Sequence, residues 1–375
     1  MRRYVTGLLV FVFLLGSLPL FCTAEPVVSA DSAILINGIT GEVIWAKNEH
    51  KKRPMASTTK IMTALLLAES GHLSQTVTVT EEADRTEGSS AGLRAGETVT
   101  KEILLAGMLL ASGNDAAHQT ALTLAGSLPA FADRMNEKAA EIGLTESHFV
   151  TPSGLDAAGH YSTAYDMAKL TMAALSDDAF RNMAESVRVT VKLGNRTQMY
   201  VNHNRLLTSY RGCIGVKTGF TVKAGRCLVT AAERGGVRVI AVTLHDPNDW
   251  ADHEKLLDYG FEQLNAVDIT YQGEGSTVAV VGTGVGRVAA VYPTRLAGLD
   301  AGQKAGVETA VSLPAFVYAP LTTGQVIGKV VYSYQGRKIA EDEIYAAADL
   351  GADPYRPTET ELWKDKIKLI CSFFK

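Results

Sequence analysis

Hydrophobic residues change their period along this chain, and the changes mark its elements. "SAILINGITGEVIWAKN" has two apolar runs split by the turn residues Asn37, Gly38 and Gly41, the pattern of a β-hairpin. Helical spacing follows. "RPMASTTKIMTALLLAESG", residues 53–71, is apolar all round from Ile61 to Ala68 and closes at Gly71, as a buried helix does. "EILLAGMLLA" and "AAHQTALTLAG" predict two more helices, and "FADRMNEKAAEIGL" has amphipathic spacing. From Cys213 the β pattern returns in "CIGVKTG", "RCLVTAAE" and "VRVIAVTL", an antiparallel meander, and "DWADHEKLLDYGFEQL", residues 249–264, predicts a helix packed back on it. Strands at both ends with helices between describe one α+β domain over residues 25–264.

Beyond residue 264, "STVAVVGTG", "GRVAAVYP", "TAVSLPAFVYAP" and "QVIGKVVYSYQG" are short strands punctuated by Gly and Pro, predicting a small all-β domain over residues 265–357. The last stretch, residues 358–375, is an amphipathic helix. Trp363, Ile367, Leu369, Ile370 and Phe373 share one apolar face, and Lys364, Lys368 and Lys375 lie opposite. It is short for a membrane span and carries charges, so it is expected to lie in the membrane interface, with the Lys366 ammonium snorkelling out of the apolar arc. The first 24 residues carry Arg2 and Arg3, an apolar run from Leu8 to Leu15 and small residues before Ala24. These are the features of a secretory signal peptide cut after Ala24.

At 375 residues, 46% hydrophobic and 20% charged, the composition is that of an ordinary globular protein. The formal net charge is −4, and the two arginines leave with the first 24 residues, taking the mature chain to −6. That mild acidity gives no support for nucleic-acid binding. Three cysteines remain after Cys22 departs, so no disulfide framework is implied; Cys213 and Cys227 flank a hairpin and either pair across it or are two small buried residues.

The candidate chemistry starts at Ser57 and Lys60. Ser57 reads plainly as an N-cap and Lys60 as a surface residue, but a capping box asks for Glu or Gln at Lys60, and a cation in the first turn opposes the helix dipole. At i and i+3 the two side chains share a face, close enough for the amine to take the hydroxyl proton. A lysine acts as base only when burial and a second cation lower its pKa, so this reading demands another lysine nearby.

"LLASGNDAA" punctuates two helices at Ser112, Gly113 and Asn114. It is either an interhelical turn, with Asp115 starting the next helix, or a site in which Ser112 relays a proton to a leaving amine and Asn114 holds a substrate backbone. "GVKTGFT" places Lys217 and Thr218 on a strand, and Gly219 removes a side chain where something approaches the backbone closely. Lys217 is either an exposed hairpin lysine or the charge that binds a substrate carboxylate and depresses Lys60.

In this order, S-x-x-K, S-x-N and K-T-G are the signature shared by class A β-lactamases and penicillin-binding proteins. With "STTK", "SGN" and "KTG" behind a signal peptide, the chain resembles the low-molecular-mass penicillin-binding proteins of peptidase family S11, which are serine D-alanyl-D-alanine carboxypeptidases, and most of all their sporulation-associated Gram-positive branch. The resemblance covers almost the whole chain: "GLDAAGHYSTAYDMAKL" looks like the family's connecting segment, the β domain like its C-terminal domain and the last helix like its anchor.

The resemblance implies a β-lactamase/transpeptidase-like domain on the extracytoplasmic face of the membrane. Ser57 would be the nucleophile, Lys60 the base and Ser112 the proton relay. Asn114, Lys217, Thr218 and Gly219 would bind the D-Ala-D-Ala end of a peptidoglycan pentapeptide, with the backbone N–H groups of Ser57 and Phe220 as oxyanion hole. β-Lactams would acylate Ser57, and no cofactor or metal is needed. Many relatives carry histidine where Phe220 stands, which leaves a backbone donor intact but removes any role of that side chain.

Three rival readings stand beside it. A class A β-lactamase needs a glutamate for deacylation, which Glu141 imitates, although it falls at the end of an amphipathic helix. His245, Asp246, Asp249 and His253 are ligand-type residues for a metal-dependent hydrolase, and equally a helix N-terminus rich in acids. A non-catalytic wall-binding protein would keep the fold without the reaction.

Overall fold

The computed structural model describes residues 25–273, 276–284, 286–352 and 359–372. The signal peptide expected over residues 1–24 lies outside them. The chain folds into two compact units, which meet in sequence between Leu264 and Asn265; the turns Gly38–Gly41 and Glu233–Arg238 group with the second.

The first unit is α+β. Strands β1 (Ser32–Asn37) and β2 (Val43–Lys47) form the expected hairpin, and β7 (Cys213–Thr221), β8 (Gly225–Arg234) and β9 (Val237–Leu244) the expected meander. They make one five-stranded sheet in the order β2-β1-β9-β8-β7, with β1 antiparallel to both β2 and β9. Every residue of β1 and β9 is buried, as central strands covered on both faces must be, and both runs are accordingly mainly apolar, with Ser32, Asn37, Arg238 and Thr243 as the polar exceptions.

Between β2 and β7 lies a helical region. Helix α1 (Lys60–Glu69) buries every residue from Lys60 to Ala68, so its all-round apolar sequence is explained by position. Around it stand α2 (Lys101–Leu109), α3 (Asn114–Ala125), α4 (Leu128–Glu141), α5 (Ala164–Ala174) and α6 (Asp178–Glu185). Local chemistry sets their starts: Thr100, Ser127, Thr163 and Asp177 each accept a backbone N–H from the first turn. Helix α7 (Asp249–Gln263) covers β1, as expected from its sequence.

This region also holds strands that the helical reading missed: β3 (Thr76–Thr78) with β4 (Thr98–Thr100), and the hairpin of β5 (Arg188–Leu193) and β6 (Arg196–Val201). Half of the β5–β6 signal was present, since "VRVTVKL" alternates up to the turn pair Gly194-Asn195, but "RTQMYV" after it does not.

The second unit is built on a six-stranded sheet of β11 (Thr277–Val281), β12 (Arg287–Val291), β14 (Val307–Ser312), β15 (Phe316–Tyr318), β16 (Val326–Tyr334) and β17 (Arg337–Ala346). The two-residue strands β10 (Val267–Asp268) and β13 (Leu296–Ala297) pair separately. β15 joins β11 in parallel, while the other pairs of the large sheet are antiparallel. Its core gathers Val278, Val288, Ile327, Val330, Tyr332 and Ile344. The terminal helix α8 (Glu359–Ser372) exposes Trp363, Ile367 and Ile370, and Lys366 Nζ lies 5.5 Å from the centre of the Trp363 ring.

Both candidate hairpin cysteines are free thiols. The β7–β8 register sets Cys213 opposite Ala232 and Cys227 opposite Gly219, so the ladder keeps the two sulfurs apart and the pairing alternative is excluded.

Candidate active site

The chain enters α1 through a 3-10 turn, Ala56–Thr59, which Thr58 Oγ1 braces by donating to Met55 O at 2.6 Å. Ser57 sits in this turn, half-buried, and no side chain caps the turn or the helix after it, so Ser57 is not an N-cap. Lys60 is fully buried, and its Nζ lies 2.9 Å from Ser57 Oγ, 2.8 Å from Asn114 Oδ1 and 2.8 Å from Ser153 O.

The second lysine that the reading demanded is present. Lys217, 1% exposed, donates from Nζ to Ser112 Oγ at 3.0 Å and to Thr218 O at 2.8 Å. Burial pulls its pKa down to about 7. Burial, and then the charge of Lys217, hold Lys60 well below the ordinary lysine value, with Asp115 opposing.

Ser112 occupies the link between α2 and α3. Its φ of 57°, like the 48° of Ala56 beside Ser57, is left-handed backbone that costs a non-glycine residue roughly 1–2 kcal/mol, so each serine lies at a strained point of the chain. Asn114, which opens α3, is held at both ends of its amide, accepting from Lys60 and donating to Glu87 O at 2.6 Å. Next to it Asp115 accepts from the backbone N–H groups of Ala91 (2.8 Å), Gly92 (3.0 Å) and Leu93 (3.1 Å) and from Ser90 Oγ (2.6 Å). One buried carboxylate thereby fastens the 90–93 loop to the start of α3.

On β7, Gly219 does what its position suggested. A Cβ there would stand 3.0 Å from both Ser57 N and Thr58 N, so only glycine lets the strand lie this close to the turn carrying Ser57. Thr218 is half-buried, and the Phe220 side chain is 65% exposed. Ser57, Ser112, Thr218, Gly219 and Phe220 line one cleft of about 310 Å³, together with Ser89, His203, Arg226, Asp249 and Trp250.

Several of these groups carried no motif. Ser153 offers a carbonyl to Lys60, and the adjoining Gly154, at φ 84°, passes where a Cβ would fall 1.9 Å from Ala56 O. His160 accepts from Val150 N at Nδ1 (2.9 Å), so its proton sits on Nε2 and is shared with Thr59 Oγ1 at 2.9 Å. A backbone acceptor leaves no residue-type signal; Gly154 in "TPSGLDAAGH" was the available hint.

The rival residues have other partners. Glu141 ends α4, 67% exposed and paired with Lys138 at 2.9 Å. Asp249 pairs with Arg226, His253 lies between Thr230 Oγ1 and Thr243 Oγ1, and Asp246 accepts from Ser29 Oγ and Asn248 N. Among the described residues no group of three or more His, Cys, Asp or Glu is placed to hold a metal ion.

Comparison with known proteins agrees with this geometry. The family model for D-alanyl-D-alanine carboxypeptidase, peptidase S11, matches residues 20–248. D-alanyl-D-alanine carboxypeptidase DacF of Bacillus subtilis (strain 168) is 33% identical over 371 residues, covering 93% of this chain and 95% of the relative. The D-alanyl-D-alanine carboxypeptidase of Streptomyces sp. (strain K15) is 34% identical over 277 residues, covering 68% of this chain and 95% of the relative. Among solved structures, penicillin binding protein 5 from Haemophilus influenzae superposes with a TM-score of 0.62 at 28% identity, covering 88% of this chain and 99% of its own. Matched by the family model over more than half its length and by a relative over nearly all of it, the chain belongs to peptidase family S11, the D-alanyl-D-alanine carboxypeptidases.

Proposed function

We propose that the chain removes the terminal D-alanine from peptidoglycan pentapeptides by acyl transfer through Ser57, in a catalytic domain of residues 25–264 followed by a β domain of residues 265–357. The observation that carries this is the 2.9 Å approach of a fully buried Lys60 amine to the Ser57 hydroxyl, beside a second buried lysine bound to Ser112.

A neutral amine has two N–H bonds and one lone pair. Asn114 Oδ1 and Ser153 O can only accept, so they take the two N–H bonds and leave the lone pair for the Ser57 proton. Ser57 Oγ attacks the carbonyl between the two D-alanines as its proton passes to Lys60. The oxyanion forms against the backbone N–H groups of Ser57 and Phe220. As the C–N bond breaks, Ser112 gives its proton to the departing amine, and the proton that Lys60 took from Ser57 is passed on to recharge Ser112, which leaves Lys60 neutral. Water then hydrolyses the acyl-enzyme, with Lys60 again as base. A β-lactam follows the first half of this path and stays on Ser57 as the covalent adduct.

We further propose that the protein is exported, and that residues 358–375 hold it at the extracytoplasmic membrane surface. The exposed Trp363, Ile367 and Ile370 on α8 support this. The test of the reaction is covalent labelling by a fluorescent penicillin, expected to be lost in Ser57→Ala and kept in Cys213→Ala. Label that survives Ser57→Ala would refute it.

A further inference from the structure

The family resemblance gives the substrate's terminal carboxylate to Lys217 and Thr218. Yet Lys217 is only 1% exposed, and its ammonium already donates to Ser112 Oγ and Thr218 O. It can lend its field to the cleft but has little surface with which to grip a ligand. Among the described residues that line the cleft, the one lysine or arginine is Arg226, whose side chain is 44% exposed. We propose that Arg226 is the specificity-determining cation for the terminal carboxylate, held in register by Asp249.

Arg226 stands near the start of β8 as the cross-strand partner of Phe220, so it adjoins the strand segment Thr218–Phe220 that walls the same cleft as Ser57. Its Nη2 lies 2.9 Å from Asp249 Oδ2, and the Asp249 side chain is 4% exposed. The buried carboxylate therefore fixes the guanidinium from within while the Arg226 side chain keeps part of its surface open. Its Cζ also lies 5.8 Å from the centre of the Trp250 ring, a second restraint on orientation. A guanidinium has five N–H donors in a rigid fork, so pairing with Asp249 leaves donors for a bidentate bond to an incoming carboxylate. Asp249 also offsets the charge. A lone buried-edge guanidinium would hold the released D-alanine as firmly as the substrate, whereas the neutralised pair grips both more weakly.

This rests on the carboxypeptidase reading, and the test separates the two. The full chain is assayed on diacetyl-L-lysyl-D-alanyl-D-alanine and on the same peptide ending in a carboxamide, and the ratio of kcat/KM values, acid over amide, is the readout. The wild type favours the acid. Arg226→Gln is expected to lower the ratio by about 10-fold or more, since a charge-assisted bidentate bond is lost. Arg226→Lys should restore part of it. Asp249→Asn, which frees the guanidinium from its counter-ion, should raise it. A wild-type ratio in Arg226→Gln overturns the proposal, and so does a fall in Asp249→Asn. Failure of the wild type to take penicillin on Ser57 would instead strike the carboxypeptidase reading.

Discussion

Asn114 Oδ1 accepts from Lys60 Nζ at 2.8 Å, and this contact helps decide which way the amine's lone pair faces. The amide cannot turn away, because its Nδ2 is tied to Glu87 O at 2.6 Å. An asparagine expected from its motif to hold substrate is thus also a brace for the Lys60 amine, coupling α3 to α1 at the point where the proposed proton transfer takes place.

The two lysines predict a pH response. Lys60 works as a base only when neutral, so acylation falls as pH drops through its folded pKa. The charge on Lys217 helps to keep that pKa low, and Lys217 itself titrates at about 7, so its influence is full below that pH and fades above it. Lys217→Gln should move the acid limb of the penicillin acylation profile to higher pH and lower the rate at pH 7 on the order of 100-fold. An acid limb that stays where the wild type has it would show that Lys217 does not act through Lys60.

Gly219→Ala tests the close approach of β7. The added methyl would stand 3.0 Å from Ser57 N, one of the two proposed oxyanion donors, and from Thr58 N. Acylation should drop about 100-fold, the cost of losing one oxyanion donor. Crowding should remove about 1–3 kcal/mol of stability, read as a lower urea midpoint. Wild-type acylation rates in this variant would place the oxyanion elsewhere.

Two buried imidazoles tie stability to pH. Burial lowers His253, fully buried between Thr230 and Thr243, from its ordinary 6.5 to about 3, and His160 to about 4. Below about pH 6.5 the unfolded chain takes up these protons and the folded one does not, so the stability is full above that pH and is lost as pH falls toward 3 and 4. Each should contribute about 2 kcal/mol of loss between pH 7 and pH 5, at about 1.4 kcal/mol per unit. His253→Gln should remove its share of that slope in urea unfolding at the two pH values; an unchanged slope would mean that His253 is not held neutral.

The terminal helix predicts a fractionation result. Deleting residues 358–375 should shift the protein from the membrane pellet to the soluble fraction while Ser57 still takes penicillin. A truncated chain that still pellets would move the anchor to another part of the molecule.

Much of this was legible in the residues, and what was missed has physical causes. β1, β2, α1 and the β7–β9 meander could be read because burial imposes a period on the residues that enter the core. The β17 segment, "RKIAEDEIYA", could not, because its charges mask alternation that only pairing with β16 makes sense of. Lys60 stood out because a cation in the first turn of an apolar helix contradicts local rules, and such contradictions gather at functional sites.

By itself, the sequence determined the turn and helix that carry Ser57 and Lys60 in succession, the two serines and two lysines of the proposed chemistry, and the α+β order around them, because each depends on side chains a turn or a strand apart. Only the tertiary structure decided that Ser153 offers its carbonyl to the base, that Asp115 fastens the 90–93 loop, that Lys217 is buried against Ser112, and that Arg226 lines the cleft with Asp249 beside it. Those contacts join residues far apart in the chain, and three of them use backbone groups or ordinary polar side chains. Their energy comes from burial and hydrogen-bond geometry, which no local pattern of residue types encodes.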